Sequence, residues 1–294
     1  MDISVIIVNY NTRDLLADCI ESIIGNTAGV DYEIIIVDNA SHDNSREAIT
    51  SKFKYIKWVQ SHENLGFGRA NNMGAKHACG KYLFFLNSDT VLKNNALKLL
   101  VTAADNAGES LGAMGCILEN PKGCTCHSYG KFISLKTELC SMLSIYLRFI
   151  KTKENTNPPY ITVPTMVDYV TGADLLVPKT VFEITGGFDS DFFMYCEEVD
   201  WQKRMADTGL CRIVVPGPKI VHLEGGSDKS SDRIWSASRL QNIYRSKRIY
   251  ALKHFSTYER IILRITSYML KTPALLIIGL IKRNPNYLKL IPLL

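Results

Sequence analysis

The residues best suited to chemistry are polar groups that follow directly on apolar runs. Tyr82–Leu86 runs straight into Asn87-Ser88-Asp89-Thr90, Glu33–Val37 into Asp38-Asn39-Ala40-Ser41, and Ile3–Val8 into Asn9-Tyr10-Asn11-Thr12. A carboxylate at the end of a buried strand can hold a divalent cation between itself and a diphosphate. Taken alone, Asp89 serves equally well as the cap of a helix starting near Lys93. A denser group lies in Gly186-Gly187-Phe188-Asp189-Ser190-Asp191-Phe192-Phe193-Met194-Tyr195-Cys196-Glu197-Glu198-Val199-Asp200-Trp201-Gln202-Lys203-Arg204. On a helix, Glu197, Asp200 and Arg204 share one face, and Glu198 points about 100° away from Glu197. Acids in a first helical turn are stabilised by the helix dipole. Two adjacent glutamates among aromatics also suit a general base whose pKa is raised by burial. His222 precedes Leu223-Glu224-Gly225-Gly226-Ser227 and reads either as structural or as a ligand beside an acidic crevice.

These groups need a scaffold, and the apolar runs supply one. Ile3–Val8, Glu33–Val37, Tyr55–Val59 and Tyr82–Leu86 read as strands. Helices are expected between them: one capped by Asn11 or Thr12 with the stripe Leu15, Leu16, Cys19, Ile20, Ile23 and Ile24, one near Asp43–Ser51, and one over Arg69–Cys79 closed by Gly80. Asn94–Ala107 follows as a fourth. Such alternation implies a parallel, doubly wound α/β sheet with ligands at the carboxyl ends of its strands. Gly112–Ile117, a strand over Val167–Pro178 broken at Thr171-Gly172-Ala173, Ile213–Val215 and Ile220–His222 extend it. The small residues at the break let a substrate approach the backbone. A helix is expected from near Cys196 to Gly209, while Leu139–Ile150, flanked by Arg148 and Lys151, suits either a helix near a membrane or one covering the sheet.

The turn after the first strand, Asn9-Tyr10-Asn11-Thr12-Arg13, contains no glycine, and Gly66-Phe67-Gly68 lacks the third glycine of a dinucleotide fingerprint. There is no Walker A sequence, so diphosphate binding falls to a metal rather than a glycine-rich cradle. Cys124 and Cys126 have no matching Cys/His pair, which argues against zinc. The opening MDISVIIVNYN has no basic segment before its apolar run and reads as a core strand, not a signal peptide, so the eight cysteines are expected as cytoplasmic thiols.

Taken together, VIIVNYN, EIIIVDNAS, NLGFGRANNMG, FFLNSDT, TGADLL, GGFDSDFFMYCEEVDWQKR and a late His-x-x-Gly-Gly-Ser resemble the inverting glycosyltransferases of family 2, and within it the bacterial rhamnosyltransferase-like enzymes of surface-polysaccharide assembly. The resemblance covers Ile3 to about Ser227. It implies a GT-A fold, a nucleotide-diphosphate sugar donor, a divalent cation (Mg²⁺ or Mn²⁺) and displacement with inversion at the anomeric carbon. Asp38 matches the acid at the nucleobase, and Asn9, Tyr10 and Asn11 the turn beneath the nucleotide. Asn64, Gly66, Arg69 and Asn71 match the loop along the donor. Asn87-Ser88-Asp89 matches the Asp-x-Asp metal motif with its first acid replaced, leaving Asp89 as principal metal ligand, and His222 matches a histidine that completes the site. Glu198 matches the catalytic base, with Glu in place of Asp, and Glu197 would position the acceptor hydroxyl or orient Glu198. Gly172, Ala173, Asp174, Tyr195 and Trp201 are expected to line the acceptor or donor-sugar pocket.

Charge is uneven along the chain, +5 overall but +10 over residues 228–294 and −5 before them. Residues 1–227 are expected as the GT-A domain and 228–294 as a helical, basic and apolar tail. The longest uncharged run in Arg260–Leu294, Thr272–Ile281, is ten residues, against roughly 20 for a bilayer span. The tail is therefore expected not to span but to lie on an anionic membrane, or to pack on the body or on a second copy in a homodimer. The resemblance favours the membrane and a glycan or polyprenyl-diphosphate-linked acceptor, placing the chain peripherally on the inner face of the cytoplasmic membrane. Two other readings remain at this level: a nucleotidylyltransferase, which would need a glycine- and Arg/Lys-rich loop after the first strand, and a non-catalytic binder of membrane or nucleic acid. A nucleic-acid binder gains nothing from clustering Asp38, Asp89, Glu197 and Glu198.

Overall fold

The computed structural model describes residues 1–147, 158–223, 236–281 and 283–293. They fall into two compact units: Met1–Lys131, Asn157–Phe193 and Glu197–Lys229 in one, and Phe132–Thr156, Met194–Cys196 and Ser230–Leu294 in the other. The division differs from a single boundary after residue 227, because 132–147 and 194–196 group with the C-terminal helices. The loop Glu224–Ser227 and the flanking Arg148, Ile150 and Lys151 lie outside the described residues.

The first unit is built on β1 (Ile3–Asn9), α1 (Arg13–Asn26), β2 (Tyr32–Asn39), α2 (Ser45–Lys52), β3 (Lys57–Ser61), α3 (Phe67–Ala75) and β4 (Tyr82–Asn87). There follow β5 (Thr90–Leu92), α4 (Ala96–Ala107), β6 (Leu111–Glu119) and β7 (Tyr129–Gly130). One nine-stranded sheet runs β3-β2-β1-β4-β10-β6-β11-β5, with β8 (Thr165–Met166) pairing β11 (Cys211–His222) and β10 spanning Asp174–Pro178. β1 to β4 are parallel, whereas β10 runs antiparallel to β4 and to β6. The sheet is thus mostly parallel but mixed. β1 and β4 are apolar on both faces because helices cover both, with Ile3, Val5, Ile7 and Phe84 packed on one side and Ile6, Leu83 and Phe85 on the other.

Several elements depart from their expected bounds for local reasons. α3 stops at Ala75 rather than Cys79, because Cys79 N–H donates to Glu33 Oε1 (2.7 Å) and Gly80 N–H to Ser4 Oγ (2.8 Å). A β-carbon at Gly80 would stand 2.5 Å from the Ser4 nitrogen, so the chain must pass here as glycine. The expected break at Thr171–Ala173 is present, separating β9 (Tyr169–Val170) from β10. Ile213–Val215 and Ile220–His222 are one strand, β11, whose register shifts between Val215 and Ile220 around Pro216-Gly217-Pro218. β5, a strand the sequence reading did not anticipate, pairs antiparallel with the end of β11. The eight cysteines are unbridged. The aromatic core holds Trp201, which lies on α7 (Glu197–Asp207) beyond α6 (Lys179–Thr185).

The second unit comprises α5 (Leu135–Leu147), α8 (Ala237–His254), α9 (Thr257–Ile281) and a 3₁₀ segment, Pro285–Leu293. Leu240, Leu275, Tyr287 and Leu290 form its small core, and Glu138 pairs with Lys247 at 2.5 Å. α9 is 25 residues long, and its stretch Thr257–Leu280 is long and apolar enough, by length and composition, to cross a membrane, whereas its longest uncharged run is the ten residues Thr272–Ile281. The helix also carries Glu259, Arg260, Arg264 and Lys271.

Candidate active site

Parallel registration of β1 with β2 sets Asn9 opposite Asp38. Asn9 Nδ2 donates to Asp38 Oδ1 (2.8 Å) and to Ser41 Oγ (3.0 Å), while Gln60 Nε2 (2.7 Å) and Ser41 N–H (3.1 Å) donate to Asp38 Oδ2. Gln60 arrives through the neighbouring register, Asp38 opposite Gln60 on β3. Three donors fix the carboxylate at the wall of an open cleft of about 610 Å³ that also holds Ser41, His42, Arg46 and Thr50. Asn11, in the left-handed region at φ 55°, accepts from His42 N–H (2.8 Å), and Tyr10 is exposed. Thr12 starts α1 but does not cap it with its side chain. Its hydroxyl instead donates to Asn9 Oδ1 (2.8 Å) and meets Ser88 Oγ (2.9 Å), tying the ends of β1 and β4 together.

The next strip is the loop before α3. Asn39 Nδ2 donates to Asn64 Oδ1 (2.9 Å) and to the Gly66 carbonyl (3.1 Å), and its Oδ1 accepts from Leu65 N–H (2.8 Å). Gly66 has φ 80°, and a β-carbon there would fall 2.0 Å from the Phe193 carbonyl oxygen, so only glycine closes this contact. Arg69 Nε donates to the Ser190 carbonyl (2.7 Å). Asn72 holds the Phe188 backbone through both its amide nitrogen (2.7 Å) and its oxygen (3.1 Å). Asn71 is buried, donating to the Phe67 carbonyl, with its Oδ1 left without a hydrogen-bond partner.

β5 explains how the metal candidates meet. Thr90 lies opposite His222 in the β5–β11 register, and Leu223 N–H donates to the Asp89 carbonyl (2.9 Å). His222 Nε2 is thereby 3.2 Å from Asp89 Oδ1 and 3.4 Å from Asn87 Nδ2. Among the described residues no group of three or more His, Cys, Asp or Glu side chains converges. One carboxylate and one imidazole fit a cation that completes its shell with phosphate oxygens and water, as Mg²⁺ and Mn²⁺ do at nucleotide sites.

The glutamates adjoin this edge. Asn87 N–H donates to the Ala173 carbonyl (3.0 Å), and a β-carbon on the neighbouring Gly172 would lie 3.8 Å from the Glu198 β-carbon. The chain enters α7 through Tyr195 and Cys196, both at left-handed φ. Glu197 is buried, its Oε2 without a hydrogen-bond partner. Burial, and then the charge of Glu198, pushes its carboxyl well above the ordinary range. Glu198 is half-buried, and desolvation raises its carboxyl too. A pair so placed retains a proton that isolated glutamates would lose. Asp200 Oδ2 accepts from Arg204 Nε (3.0 Å), whose other nitrogens reach the Thr185 and Gly187 carbonyls.

Three expected pocket residues need correction. Trp201 is fully buried among Phe85, Phe182 and Phe188, with Nε1 donating to Thr185 Oγ1 (2.7 Å). Its stripe partner Met205, one turn on and equally buried, was the signal for a core role. Ala173 is core as well, and presents only its carbonyl to Asn87. Asp174 is fully buried, holding Cys116 N–H (2.7 Å) from β6, and burial pushes its carboxyl up to about 7. Tyr195, the remaining expected member, is half-buried and groups with the helical unit, its ring 5.9 Å from the Arg239 guanidinium. Trp201→Ala is expected to cost about 3–5 kcal/mol of stability, seen as a lower denaturant midpoint, with substrate KM unchanged in the folded fraction. Positioning residues the sequence reading passed over are Thr12, Asn39, Ser41, Gln60 and Asn72; the adjacency of Asn39 to Asp38 and the polar end of β3 were the available signals.

Residues 4–163, more than half the chain, match the sequence model of Glycosyl transferase family 2. The chain is 25% identical over 233 residues to rhamnosyltransferase WbbL of Escherichia coli K12, covering 77% of this chain and 85% of that protein. It is 24% identical over 246 residues to the N-acetylglucosaminyl-diphospho-decaprenol L-rhamnosyltransferase of Mycobacterium tuberculosis, covering 79% and 78% respectively. In fold it is similar to mannosyltransferase PcManGT from Pyrobaculum calidifontis, solved with GDP-Man and Mn²⁺, at a TM-score of 0.59 and 15% identity, over 98% of this chain and 73% of that one. The chain has the GT-A fold and belongs to glycosyltransferase family 2, as an inverting, rhamnosyltransferase-like hexosyltransferase.

Proposed function

We propose that this crevice transfers a sugar, rhamnosyl or a close relative, from a nucleotide-diphosphate donor to a glycan or polyprenyl-diphosphate-linked acceptor, with a divalent cation at Asp89 and His222. The observation that carries the reading is the approach of His222 Nε2 to within 3.2 Å of Asp89 Oδ1, next to the strand end that adjoins Glu198 through Gly172 and Ala173. The cleft at Asp38 would take the nucleobase, with Asn9, Tyr10 and Asn11 beneath the nucleoside. Asn64, Gly66 and Arg69 would follow the donor, Asn71 would brace their loop, and Asn87 and Ser88 would face the diphosphate. The cation, when bound, offsets the charge that develops on the leaving diphosphate.

Glu198 then acts as general base. Its half-buried carboxylate takes the acceptor hydroxyl proton as that oxygen forms its bond to the anomeric carbon, and the bond to the diphosphate oxygen breaks on the opposite face. Glu197, held neutral by burial and by its charged neighbour, can still donate one hydrogen bond and so orient Glu198 or the acceptor. The decaprenol relative's name, the basic C-terminal stretch and the exposed apolar side of α9 support a lipid-linked acceptor and a peripheral place on the inner face of the cytoplasmic membrane. Proton NMR of the first-formed product, using whichever donor a nucleotide-sugar panel identifies, is expected to show an anomer opposite to the donor's. Retention would overturn direct displacement.

A further inference from the structure

The helical unit holds a cavity of about 290 Å³ between α5, α8, α9 and the terminal 3₁₀ segment, and nothing in the transfer chemistry uses it. Lys247 and Arg248 of α8 and Arg260, Arg264 and Lys271 of α9 line it, against one acid, Glu138. Glu138 is engaged by Lys247 (2.5 Å). The remainder of the wall is largely aliphatic, with Leu263 and Leu293 among its members. Lys271 stands 5.1 Å from the Tyr244 ring centroid, and burial pushes its ammonium down to about 8. Concentrating cations against hydrocarbon is costly unless an anion joins them.

α9 adds an independent observation. Tyr258, Ile261, Ile265, Met269, Leu276 and Leu280 recur at helical spacing and are each 43–79% exposed. Such a stripe, on the side of the helix away from Arg260, Arg264 and Lys271, fits an interfacial helix. We propose that this unit seats one phosphate-headed membrane lipid: the stripe of α9 lies among the acyl chains of one leaflet, and the basic cavity receives the headgroup phosphate. Free phosphate would satisfy the cations but not the stripe, and a neutral bilayer would satisfy the stripe but not the cations. The proposal builds on the interfacial placement of α9 and not on the crevice's reaction.

Flotation of the full-length protein with phosphatidylcholine vesicles, with and without phosphatidylglycerol, tests it. Wild type should prefer the anionic vesicles, and Arg264→Gln with Lys271→Gln should remove that preference by about 30-fold, at roughly 1 kcal/mol per cation. Arg245→Gln with Lys289→Gln removes the same charge from exposed positions outside the cavity and should cost no more than about fivefold. Equal losses in the two pairs, or no preference in wild type, would overturn the headgroup site. Circular dichroism checks folding, and Arg264→Gln alone, at an exposed position, should still cost about fivefold if the double variant misfolds. Ile265→Ser with Met269→Ser should weaken binding to both vesicle types; unchanged binding would remove α9 from the leaflet. Donor turnover in solution, read separately, should stay at the wild-type level in all of these variants.

Discussion

Replacing Glu198 by glutamine is expected to lower kcat by about 10²–10⁴-fold while the donor Kd, read by calorimetry, stays within about twofold. The amide keeps the side chain's size and loses only its capacity to take a proton, so the effect belongs to the chemical step. Glu197→Gln should cost much less, about tenfold, because burial already keeps that carboxyl neutral and an amide can still donate a hydrogen bond. The pH profile separates the two residues. A base must be ionised to act, so kcat/KM falls as pH drops through its pKa. Burial raises the Glu198 carboxyl, which places the acid limb above the ordinary glutamate range. That limb should persist in Glu197→Gln and disappear from the residual activity of Glu198→Gln.

Asp89→Ala carries the second large effect. It removes the one carboxylate of the donor set, since Asn87 stands where a second acid would otherwise supply charge. Loss of the cation's contribution at the diphosphate, several kcal/mol, should lower kcat/KM by about 10²–10³-fold. Mn²⁺-dependent nucleoside-diphosphate binding should weaken with it. His222→Ala leaves the carboxylate in place and should cost about tenfold less. Unchanged Mn²⁺-dependent binding in Asp89→Ala would take Asp89 out of the site.

Much of this site was legible because the elements carrying it are buried on both faces. β1, β2 and β4 are continuous apolar runs whose polar ends fall on one edge of the sheet, and Asp200 and Arg204 meet as their spacing requires. What was not legible depended on register. β5 is three residues long and exists through pairing with β11, whose own continuity is masked by Pro216-Gly217-Pro218. Without that pairing, His222 could not be set beside Asp89. Trp201 was misplaced because an aromatic next to catalytic-looking acids suits a sugar platform as well as a core. Of the rings that enclose it, Phe182 and Phe188 are near in sequence but Phe85, on β4, comes from a distant part of the chain.

Sugar transfer in the crevice between Asp89 and Glu198 should depend on both the base and the cation. The most direct measurement follows nucleoside diphosphate released from a panel of nucleotide sugars, with acceptor, by wild type and Glu198→Gln in Mn²⁺ and in EDTA. Wild type should turn over one donor in Mn²⁺ and lose that turnover in EDTA, and Glu198→Gln should be at least about a hundredfold slower. Equal turnover by the two proteins, or turnover undiminished by EDTA, would contradict that dependence.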